Sequence, residues 1–323
     1  MNIQEILKSL SKEEQKDLAS AIMQSLNDTD AKEAFVENSQ NNFTCPHCGH
    51  DKIYKNGSVH GKPRFKCHSC NKSFGLTTKT IFAKSKKDLG MWKQYIELMF
   101  ENRSIRYIAE KMKISVSTSF YWRHKILNAL KNATSKDKKL DGIVEADETF
   151  FPLSFKGQKK LDRKPRKRGK QTKKRGISKD QACVVVATDR KQQSVSKAVC
   201  LGRVSTQNLD DNFTGAIEPY SVLVTDKQPA YYKFASKNDL KLKQMQSSMD
   251  VDGLFHIQNV NSFHSGLKGF MRGFKGVATK YLDNYLAFFE FAKKIDRKVF
   301  EAVIGQRTVT TYSALRALKM ELV

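Results

Sequence analysis

Long apolar runs are missing from this chain of 323 residues. A membrane-spanning helix needs about 18 or more consecutive apolar residues, and the sequence contains no run of that length. The opening residues, MNIQEILKSLSKEEQ, also lack the basic and apolar segments that make up a secretory signal. We therefore expect a protein of the cytoplasm.

Acidic residues are scarce relative to basic ones: 33 Asp and Glu stand against 58 Lys and Arg, for a net charge of +25. Hydrophobic residues make up 39% of the chain and aromatic residues 10%. This is enough to build a core, and it excludes a wholly disordered basic tail. Because a large positive excess favours association with a polyanion, the composition predicts a polyanionic partner.

The charge is distributed unevenly along the chain. Residues 1–40 contain 8 acidic residues and 4 lysines, and their apolar residues recur at helical spacing, which predicts one or two short amphipathic helices. The segment 156–175, KGQKKLDRKPRKRGKQTKKR, carries 12 basic residues and one acidic residue. It has no apolar periodicity, so we interpret it as an extended or disordered loop with a charge of +11.

Only six cysteines occur, and four of them form two CxxC pairs within residues 41–80: Cys45, Cys48, Cys67 and Cys70. Four thiolates in two such pairs match the tetrahedral coordination of a structural Zn²⁺ ion. The residues between the pairs predict a β-hairpin with its turn at Asn56–Gly57, so the segment has the pattern of a zinc ribbon. Disulfides or a redox pair are the alternatives, and they suit a cytosolic chain poorly. The alternative ligands are the nearby histidines His47, His50, His60 and His68.

Two segments have patterns typical of DNA contact. On the ribbon, basic residues alternate with aromatic ones, and the candidate phosphate contacts are Lys62, Arg64 and Lys66. Residues 86–135 predict helices, and SIRYIAEKMKISVSTSFYWRHKIL within them has the pattern of a helix-turn-helix, with Ser115 or Ser117 capping the second helix.

The second helix of that motif carries the candidate contacts to DNA. The side chains expected to face the bases are Ser117, Thr118, Ser119 and Tyr121. The residues that follow suit phosphate contacts: Arg123, His124 and Lys125. An ordinary helical hairpin is the alternative interpretation.

From residue 140 onward the pattern changes to β-strands. Three β-runs, GIVEADETFF, ACVVVATD and SVSKAVCL, come in succession, and a helical stretch, a fourth β-run, SVLVTD, and more helices follow. This order predicts an α/β domain with a mixed sheet over residues 140–323. The basic block 156–175 is then an insertion after its first strand.

Two of these β-runs carry aspartates where a functional site is expected. Asp147 lies in the middle of the first run, where a carboxylate is costly unless it is paired or binds a cation. Asp226 follows the fourth run, at the carboxyl end where open α/β sheets place their sites. Two such carboxylates suit a pair of Mg²⁺ or Mn²⁺ ions of the kind used in phosphoryl transfer. Three neighbouring carboxylates suit structural roles better: Glu145, Glu148 and Asp189.

The succession of CxxC pairs, helix-turn-helix, VEADETFF, TD after a strand and HIQNVNSFHSGLKGFMRGFKGVATKYLDNYLAFF resembles bacterial insertion-sequence transposases of the ISXO2-like branch, from Thr44 to Phe291. The resemblance implies a multidomain protein with N-terminal helices, a zinc ribbon, a helix-turn-helix and a catalytic α/β domain of the RNase H-like fold. In such enzymes two aspartates and a third acidic residue on a helix bind two divalent ions, and a lysine follows one turn later. Asp147 and Asp226 match the two aspartates.

The third position departs from this pattern. His264 stands where many relatives carry Glu, and Lys268 follows four residues later on the same helical face. Imidazole is a poorer ligand for Mg²⁺ than oxygen and suits Mn²⁺ better, so the metal preference stays open. Asn261, one turn before His264, is the alternative third ligand.

The resemblance implies a DNA transposase that binds double-stranded DNA at the terminal inverted repeats of its element and then cuts and joins strands. We expect it to act as a homodimer or larger assembly in the nucleoid of a bacterial cytoplasm. The candidate backbone contacts of the basic insertion are Lys164, Arg166, Lys167 and Arg168. A non-catalytic DNA-binding regulator and an RNase H-like nuclease that does not join strands are the alternatives.

Overall fold

The computed structural model describes most of the chain between residues 44 and 293. The described residues are 11, 44–60, 62–134, 139–158, 161, 176–246, 251–293, 315 and 322. The N-terminal helices expected within residues 1–40 lie outside this set, as does most of the basic block 156–175. The described residues fall into two compact units, and the chain passes from the first to the second between Ala129 and Leu130.

The first unit begins with a small antiparallel sheet in the order β1-β2-β3, formed by β1 (Ile53–Val59), β2 (Lys62–Cys67) and β3 (Ser73–Gly75). The expected hairpin is present, but the prediction of its turn at Asn56–Gly57 is wrong. These two residues lie inside β1, where the pairing is interrupted between Lys55 and Ser58. Gly57 has a positive φ of 68°, and the strand accommodates it as an irregularity and continues.

The described part of the first unit also contains three helices: α1 (Leu89–Phe100), α2 (Ile105–Lys111) and α3 (Val116–Thr134), the last of which continues past the unit boundary. Each begins after a side chain that caps it, and the caps are Asp88, Ser104 and Ser115. Of the two predicted caps for α3, Ser115 is therefore the one used. Helices α1 and α3 pack through the stacked rings of Trp92 and Trp122, whose centroids are 3.8 Å apart.

The second unit is built on a five-stranded sheet in the order β6-β5-β4-β7-β8. Its strands are β4 (Ile143–Pro152), β5 (Gln181–Asp189), β6 (Ser194–Leu201), β7 (Val222–Thr225) and β8 (Lys241–Gln244). The first three pair antiparallel, whereas β7 and β8 run parallel to β4, so the predicted mixed sheet is confirmed. The fifth strand, β8, is an addition that the β-runs of the sequence do not predict.

Helices cover both faces of this sheet. Helices α4 (Thr206–Phe213) and α5 (Pro229–Lys237) contribute to one core, and α6 (Gln258–Gly273) and α7 (Leu282–Ala292) to the other. Successive residues of a strand point to opposite faces, so Ala146 of β4 joins the first core. Its neighbours Glu145 and Asp147 therefore point toward the face that α6 covers. None of the described helices is both long and apolar enough to cross a membrane.

Helix α7 also satisfies the backbone of β6, which is one edge of the sheet. Glu290 Oε1 accepts the N–H of Ser196 at 2.7 Å, and Asp283 Oδ1 accepts the N–H of Ala198 at 2.9 Å. These carboxylates occupy edge groups that would otherwise be open to another strand.

Candidate active site and metal centre

The four cysteines of the CxxC pairs form one cluster, in which all sulfur atoms lie within 4.8 Å of one another. Cys45 Sγ is 3.6 Å from Cys70 Sγ, and Cys48 Sγ is 3.6 Å from Cys67 Sγ. These separations are far longer than a disulfide bond of about 2.05 Å. They are close to the edge, ~3.8 Å, of a tetrahedron of sulfurs about 2.3 Å from a zinc ion. The donor set therefore fits a four-coordinate zinc ion.

The two CxxC pairs are held by the same backbone arrangement. The N–H of Gly49 donates to the carbonyl of Cys45 at 2.8 Å, and the N–H of Asn71 donates to the carbonyl of Cys67 at 3.1 Å. Gly49 and Asn71 both have positive φ, which glycine and asparagine adopt more readily than most residues. Burial acts to raise the pKa of the Cys45 thiol, but backbone donors, that of His47 first, outweigh it and lower the pKa to about 7. The backbone N–H of His50 acts to lower the pKa of Cys48, but burial and the neighbouring thiols raise it to about 12, so Cys45 ionises before Cys48.

The start of helix α3 presents polar side chains at the surface, as a recognition helix requires. Ser117 is exposed, and Thr118 and Tyr121 are half-buried. Ser119 is buried instead, and its hydroxyl donates to the carbonyl of Ile105 at 3.0 Å. The expected outward position of Ser119 is therefore wrong, because its hydroxyl joins α3 to α2.

The basic residues that follow on α3 are inside the unit. Arg123 is 1% exposed, and its Nη2 donates to the carbonyl of Arg103 at 2.6 Å. Lys125 is buried too, its Nζ donates to the carbonyl of Ile81 at 2.8 Å, and burial lowers its pKa to about 8. His124 is also buried. The structure contradicts the expected phosphate contacts of these three residues, since their side chains lie within the unit.

The other candidate DNA contacts are placed only in part. On β2, Lys62 is exposed, and Arg64 and Lys66 are half-buried. The candidates of the basic block, Lys164, Arg166, Lys167 and Arg168, lie outside the described residues. The first residue of the block, Lys156, donates from Nζ to the carbonyl of Gly276 at 2.9 Å, so the block begins beside the turn that follows α6.

Asp147 and Asp226 come from neighbouring parallel strands. Asp147 is at the centre of β4, and Asp226 directly follows β7. Pairing between these strands ends at Glu145 and Val224, and two further residues in the same register set Asp226 opposite Asp147. Adjacent strands lie about 4.8 Å apart, so the two carboxylates are neighbours. Oδ1 of Asp226 also accepts the N–H of Gln228 at 3.0 Å, which orients this side chain.

Helix α6 places His264 against Asp147. The Nδ1 atom of His264 lies 3.7 Å from Oδ2 of Asp147, and the side chain is buried. Its other ring nitrogen, Nε2, is also buried and has no hydrogen-bond partner among the described residues. Lys268, four residues later, is exposed, and Asn261, one turn before His264, is half-buried.

The electrostatics of this cluster favour a cation. Burial raises the pKa of Asp147 to about 6, and the charge of Asp226 acts in the same direction. Burial, followed by the charge of Lys268, lowers the pKa of His264 to about 4. At pH 7 the imidazole is therefore neutral with one nitrogen lone pair to offer, while the carboxylates repel one another. A bound cation would relieve that repulsion.

The donors of Asp147, Asp226 and His264 are not gathered as tightly as the thiols. Across the residues that the structure describes, the cysteines are the one group of three or more His, Cys, Asp or Glu donors within 4.8 Å of one another. The three residues are therefore neighbours, but their donor atoms do not form a closed coordination sphere. To bind one ion in common, the three side chains would have to move closer to one another.

One tyrosine near the site, Tyr231, belongs to no motif that would identify it from the sequence as a site residue. Tyr231 on α5 is buried, and burial together with the facing carboxylate of Glu148 holds its pKa well above its usual range. Burial likewise raises the pKa of Glu148 itself to about 7. Helical spacing does predict that Tyr231 faces the core, because Phe234 and Ala235, three and four residues later, lie on the same face and are buried as well.

Comparison with known proteins shows which family the second unit resembles. Residues 139–293 match the family described as ISXO2-like transposase domain. The chain is 26% identical over 267 residues to the "Uncharacterized protein in transposable element ISH50" of Halobacterium salinarum, which covers 80% of this chain and 88% of the relative. It is also 26% identical over 97 residues to the insertion element iso-IS1N protein InsA of Shigella dysenteriae, covering 30% of this chain and 96% of the relative.

Two solved structures that resemble the chain have low TM-scores. A simian T-cell lymphotropic virus intasome is 11% identical with a TM-score of 0.29, over 61% of this chain and 66% of that chain. A pre-cleavage Mos1 transpososome is 11% identical with a TM-score of 0.26, over 67% of this chain and 76% of that chain. The family match, in contrast, begins just before β4 and ends just after α7, so it spans the whole described sheet together with Asp147, Asp226 and His264. Residues 139–293 of this chain are therefore similar to the ISXO2-like transposase domain.

Proposed function

We propose that this protein is a DNA transposase that binds the terminal inverted repeats of an insertion sequence and catalyses metal-dependent strand cleavage and strand transfer. The observation that carries the proposal is the meeting of Asp147 and Asp226, from adjacent strands of a transposase domain, with the neutral imidazole of His264 beside them. Two carboxylates with a neutral nitrogen donor beside them can hold divalent ions of the kind that assist phosphoryl transfer.

The residues at the site fit divalent ions. Asp147 and Asp226 would hold two Mg²⁺ or Mn²⁺ ions, with His264 as the third ligand or the side-chain carbonyl of Asn261 in its place. Two observations support this assignment: the raised pKa of Asp147, and the buried Nε2 of His264 without a partner among the described residues. When bound, such ions lower the pKa of an attacking water or 3′-hydroxyl and stabilise the charge that develops on phosphorus.

Lys268 supplies a positive charge at the same site. It is exposed on α6, one helical turn beyond His264, and its charge contributes to the lowered pKa of that histidine. We assign Lys268 the role of positioning the scissile or flanking phosphate, because a lysine ammonium binds phosphate as a mobile point charge.

The remaining segments would bind and hold the DNA. The proposed layout is an N-terminal helical segment at 1–40, a zinc ribbon at 41–80, a helix-turn-helix region at 86–135 and an RNase H-like catalytic domain at 140–323 with its basic insertion at 156–175. The proposed contacts to double-stranded DNA are Lys62, Arg64 and Lys66 on the ribbon and Ser117, Thr118 and Tyr121 on α3. A homodimer or larger assembly on paired ends, in the bacterial cytoplasm, completes the proposal.

A plasmid assay tests the function directly. Supercoiled donor DNA that carries the element ends should be cleaved and joined to target DNA in the presence of Mn²⁺ or Mg²⁺. Asp147→Asn and Asp226→Asn should abolish cleavage and leave end binding intact. Asp210→Asn is the matched control, because this aspartate pairs with Lys237 at 2.6 Å between α4 and α5 and has no part in the proposed site.

Three outcomes would contradict the proposal in different ways. Cleavage that survives both Asp147→Asn and Asp226→Asn would refute the assignment of the site. End binding without cleavage in any divalent metal would identify a non-catalytic regulator. Nicking without strand joining would identify a nuclease.

A further inference from the structure

Glu145 is fully buried on β4, two residues before Asp147, and its carboxylate is bound to the start of helix α6. Its Oε2 accepts the backbone N–H of Val260 at 3.0 Å, and its Oε1 accepts the side-chain N–H of Asn259 at 2.7 Å. Arg190, directly after β5, donates from Nη1 to the same Oε1 at 2.5 Å. Nδ1 of His256 also lies 3.3 Å from Oε1. The buried charge is therefore paired with Arg190 and hydrogen-bonded at both of its oxygens.

The residues just before helix α6 cap it only in part: Nδ1 of His256 accepts the N–H of Gln258 at 3.3 Å. The N-cap residue of the helix is Ile257, which makes no side-chain hydrogen bond to the first turn. The first N–H groups of a helix need partners from elsewhere, and a negative charge there is stabilised by the helix dipole. Glu145 supplies both, so strand β4 caps the helix that carries His264 and Lys268.

The contacts at Glu145 and Asp147 have matching spacings on the two elements. Glu145 and Asp147 are two residues apart on a strand, a rise of about 6.7 Å. Their partners Val260 and His264 are four residues apart on a helix, a rise of about 6 Å. Glu145 and Asp147 lie on the same side of β4, and Val260, contacted through its backbone N–H, lies one helical turn before His264 on α6. The cap at Glu145 therefore sets the axial position of α6 at which His264 faces Asp147.

Arg190 extends the same clamp to the chain that leads into α6. Its second terminal nitrogen, Nη2, donates to the carbonyl of Leu254 at 2.5 Å, and Nη1 lies 3.2 Å from Nε2 of His256. One guanidinium thus neutralises Glu145 and holds the approach to the helix. Because Arg190 binds both Glu145 on β4 and the loop at Leu254, it restricts the position at which α6 begins.

We propose that Glu145 is a positioning residue for the metal site: it sets the register of α6 on β4 so that His264 meets Asp147. The inference rests on the proposed function, because the register matters for catalysis only if these residues bind the metal ions. Glu145 itself binds the helix and acts on catalysis through His264. Loss of the cap should loosen the first turn of α6 and weaken metal binding, while leaving the DNA-reading segments of the first unit intact.

The test compares Glu145→Gln, which keeps the shape and removes the charge, with Asn259→Ala, which removes one hydrogen bond from the helix side only. Hydrogen exchange is measured by mass spectrometry on protein without DNA or added divalent ions. In both variants, peptides covering residues 257–268 should exchange faster than in the wild type. The Mn²⁺ concentration for half-maximal cleavage should rise by about 10-fold in Glu145→Gln, the usual size for loss of an outer-shell partner, and by less in Asn259→Ala. End-DNA binding should be unchanged.

Glu290→Gln is the matched control. Glu290 is another carboxylate of this unit that accepts backbone and hydroxyl hydrogen bonds, but from Ser196 on the far edge strand β6. It should lower thermal stability without altering exchange in α6 or the Mn²⁺ requirement. Wild-type exchange in α6 and a wild-type Mn²⁺ requirement in Glu145→Gln would overturn the proposal, as would equal shifts in Glu290→Gln. The exchange measurement needs no cleavage, so a wild-type protein that failed to cleave would refute the proposed function and still leave the contact at Glu145 decided.

Discussion

His264 Nδ1 lies 3.7 Å from Oδ2 of Asp147, across the contact between helix α6 and strand β4. Burial and the nearby Lys268 charge lower the pKa of this histidine to about 4, so the pair is a neutral imidazole beside a carboxylate rather than an ion pair at pH 7. A neutral ring has a nitrogen lone pair to offer to a metal, which a protonated ring does not. The contact thus has the chemistry of two ligands placed side by side.

We predict that His264→Ala reduces the rate of strand cleavage in Mn²⁺ by at least about 100-fold, the upper limit for outer-shell partners of a metal site. Asn261→Ala should cost less, because Asn261 is only half-buried, one turn before His264. Single-turnover cleavage of end DNA at saturating Mn²⁺ measures both variants. The reverse ranking would identify Asn261 as the third ligand.

The choice of metal should follow the residue at position 264. Replacing the imidazole by a carboxylate, in His264→Glu, offers Mg²⁺ the hard oxygen donor that it prefers. We expect the ratio of cleavage rates in Mg²⁺ and Mn²⁺ to rise in this variant relative to the wild type. Wild-type and variant rates in each metal, at the same DNA concentration, measure the ratio. An unchanged ratio would mean that residue 264 does not touch the ion.

Stability in the absence of metal should depend on the ionisation of Glu148. Its pKa in the folded protein, about 7, lies above its ordinary value of 4.5 because burial disfavours the charged form. The folded state therefore holds this proton more tightly than the unfolded state, so the free energy of unfolding falls as the pH rises from about 4.5 to about 7. Above pH 7 the loss is complete.

Glu148→Gln isolates this effect, since the other groups titrate in both proteins. Thermal unfolding in the presence of a chelator, at a series of pH values, should show a difference in Tm that grows in favour of the variant between pH 4.5 and 7 and then levels off. A difference in Tm that is the same at every pH would contradict the raised pKa.

Much of this fold could be predicted because its signals are local. The β-runs from residue 143 onward, the CxxC pairs and the capped helices each follow from a few adjacent residues. Strand β8 could not be predicted, because its sequence, Lys241–Gln244, is short and polar and becomes a strand by pairing with β7. The sequence also could not show that Asn56–Gly57 forms an irregularity within β1 rather than a turn. A glycine with positive φ fits either a turn or a strand irregularity.

The errors at the candidate sites have a common physical cause, which is a partner distant in sequence. The sequence pattern predicts that Lys125 contacts phosphate from a helix surface, but its ammonium binds the carbonyl of Ile81, more than forty residues earlier. The sequence does not distinguish Glu145 from the neighbouring carboxylates, because its partners, Val260 and Arg190, lie on other parts of the chain. Asp147 and Asp226 could be found from the sequence because each stands out within its own apolar run.

The cysteine cluster should hold zinc in the purified protein. We expect about one equivalent of zinc per chain, lost or weakly held in Cys48→Ser, because a structural site requires all four ligands. Metal analysis after dialysis measures the content, and end binding should weaken along with it. Cys183→Ala is the control: Cys183 is buried in β5 of the second unit and is not one of the four clustered cysteines, so this variant should keep its zinc. Loss of zinc in the control alone would contradict the site.

Ser117 and Arg123 should separate DNA recognition from stability on the same helix. Arg123→Ala removes the buried hydrogen bond to the carbonyl of Arg103, so the free energy of unfolding should fall by about 1–3 kcal/mol. Ser117 is exposed at the start of α3, and Ser117→Ala should leave Tm unchanged while weakening binding to element ends by about 10-fold relative to random DNA.

Thermal unfolding and competition binding, measured on both variants, decide between the two roles. If Arg123 contacted phosphates, Arg123→Ala would instead keep the wild-type Tm and weaken binding to every DNA sequence alike, with a shallower dependence on salt. Its burial predicts the opposite pattern. At temperatures well below its lowered Tm, the folded fraction of Arg123→Ala should bind element ends with wild-type affinity and wild-type salt dependence, because the side chain is directed into the unit and away from the surface that would meet DNA.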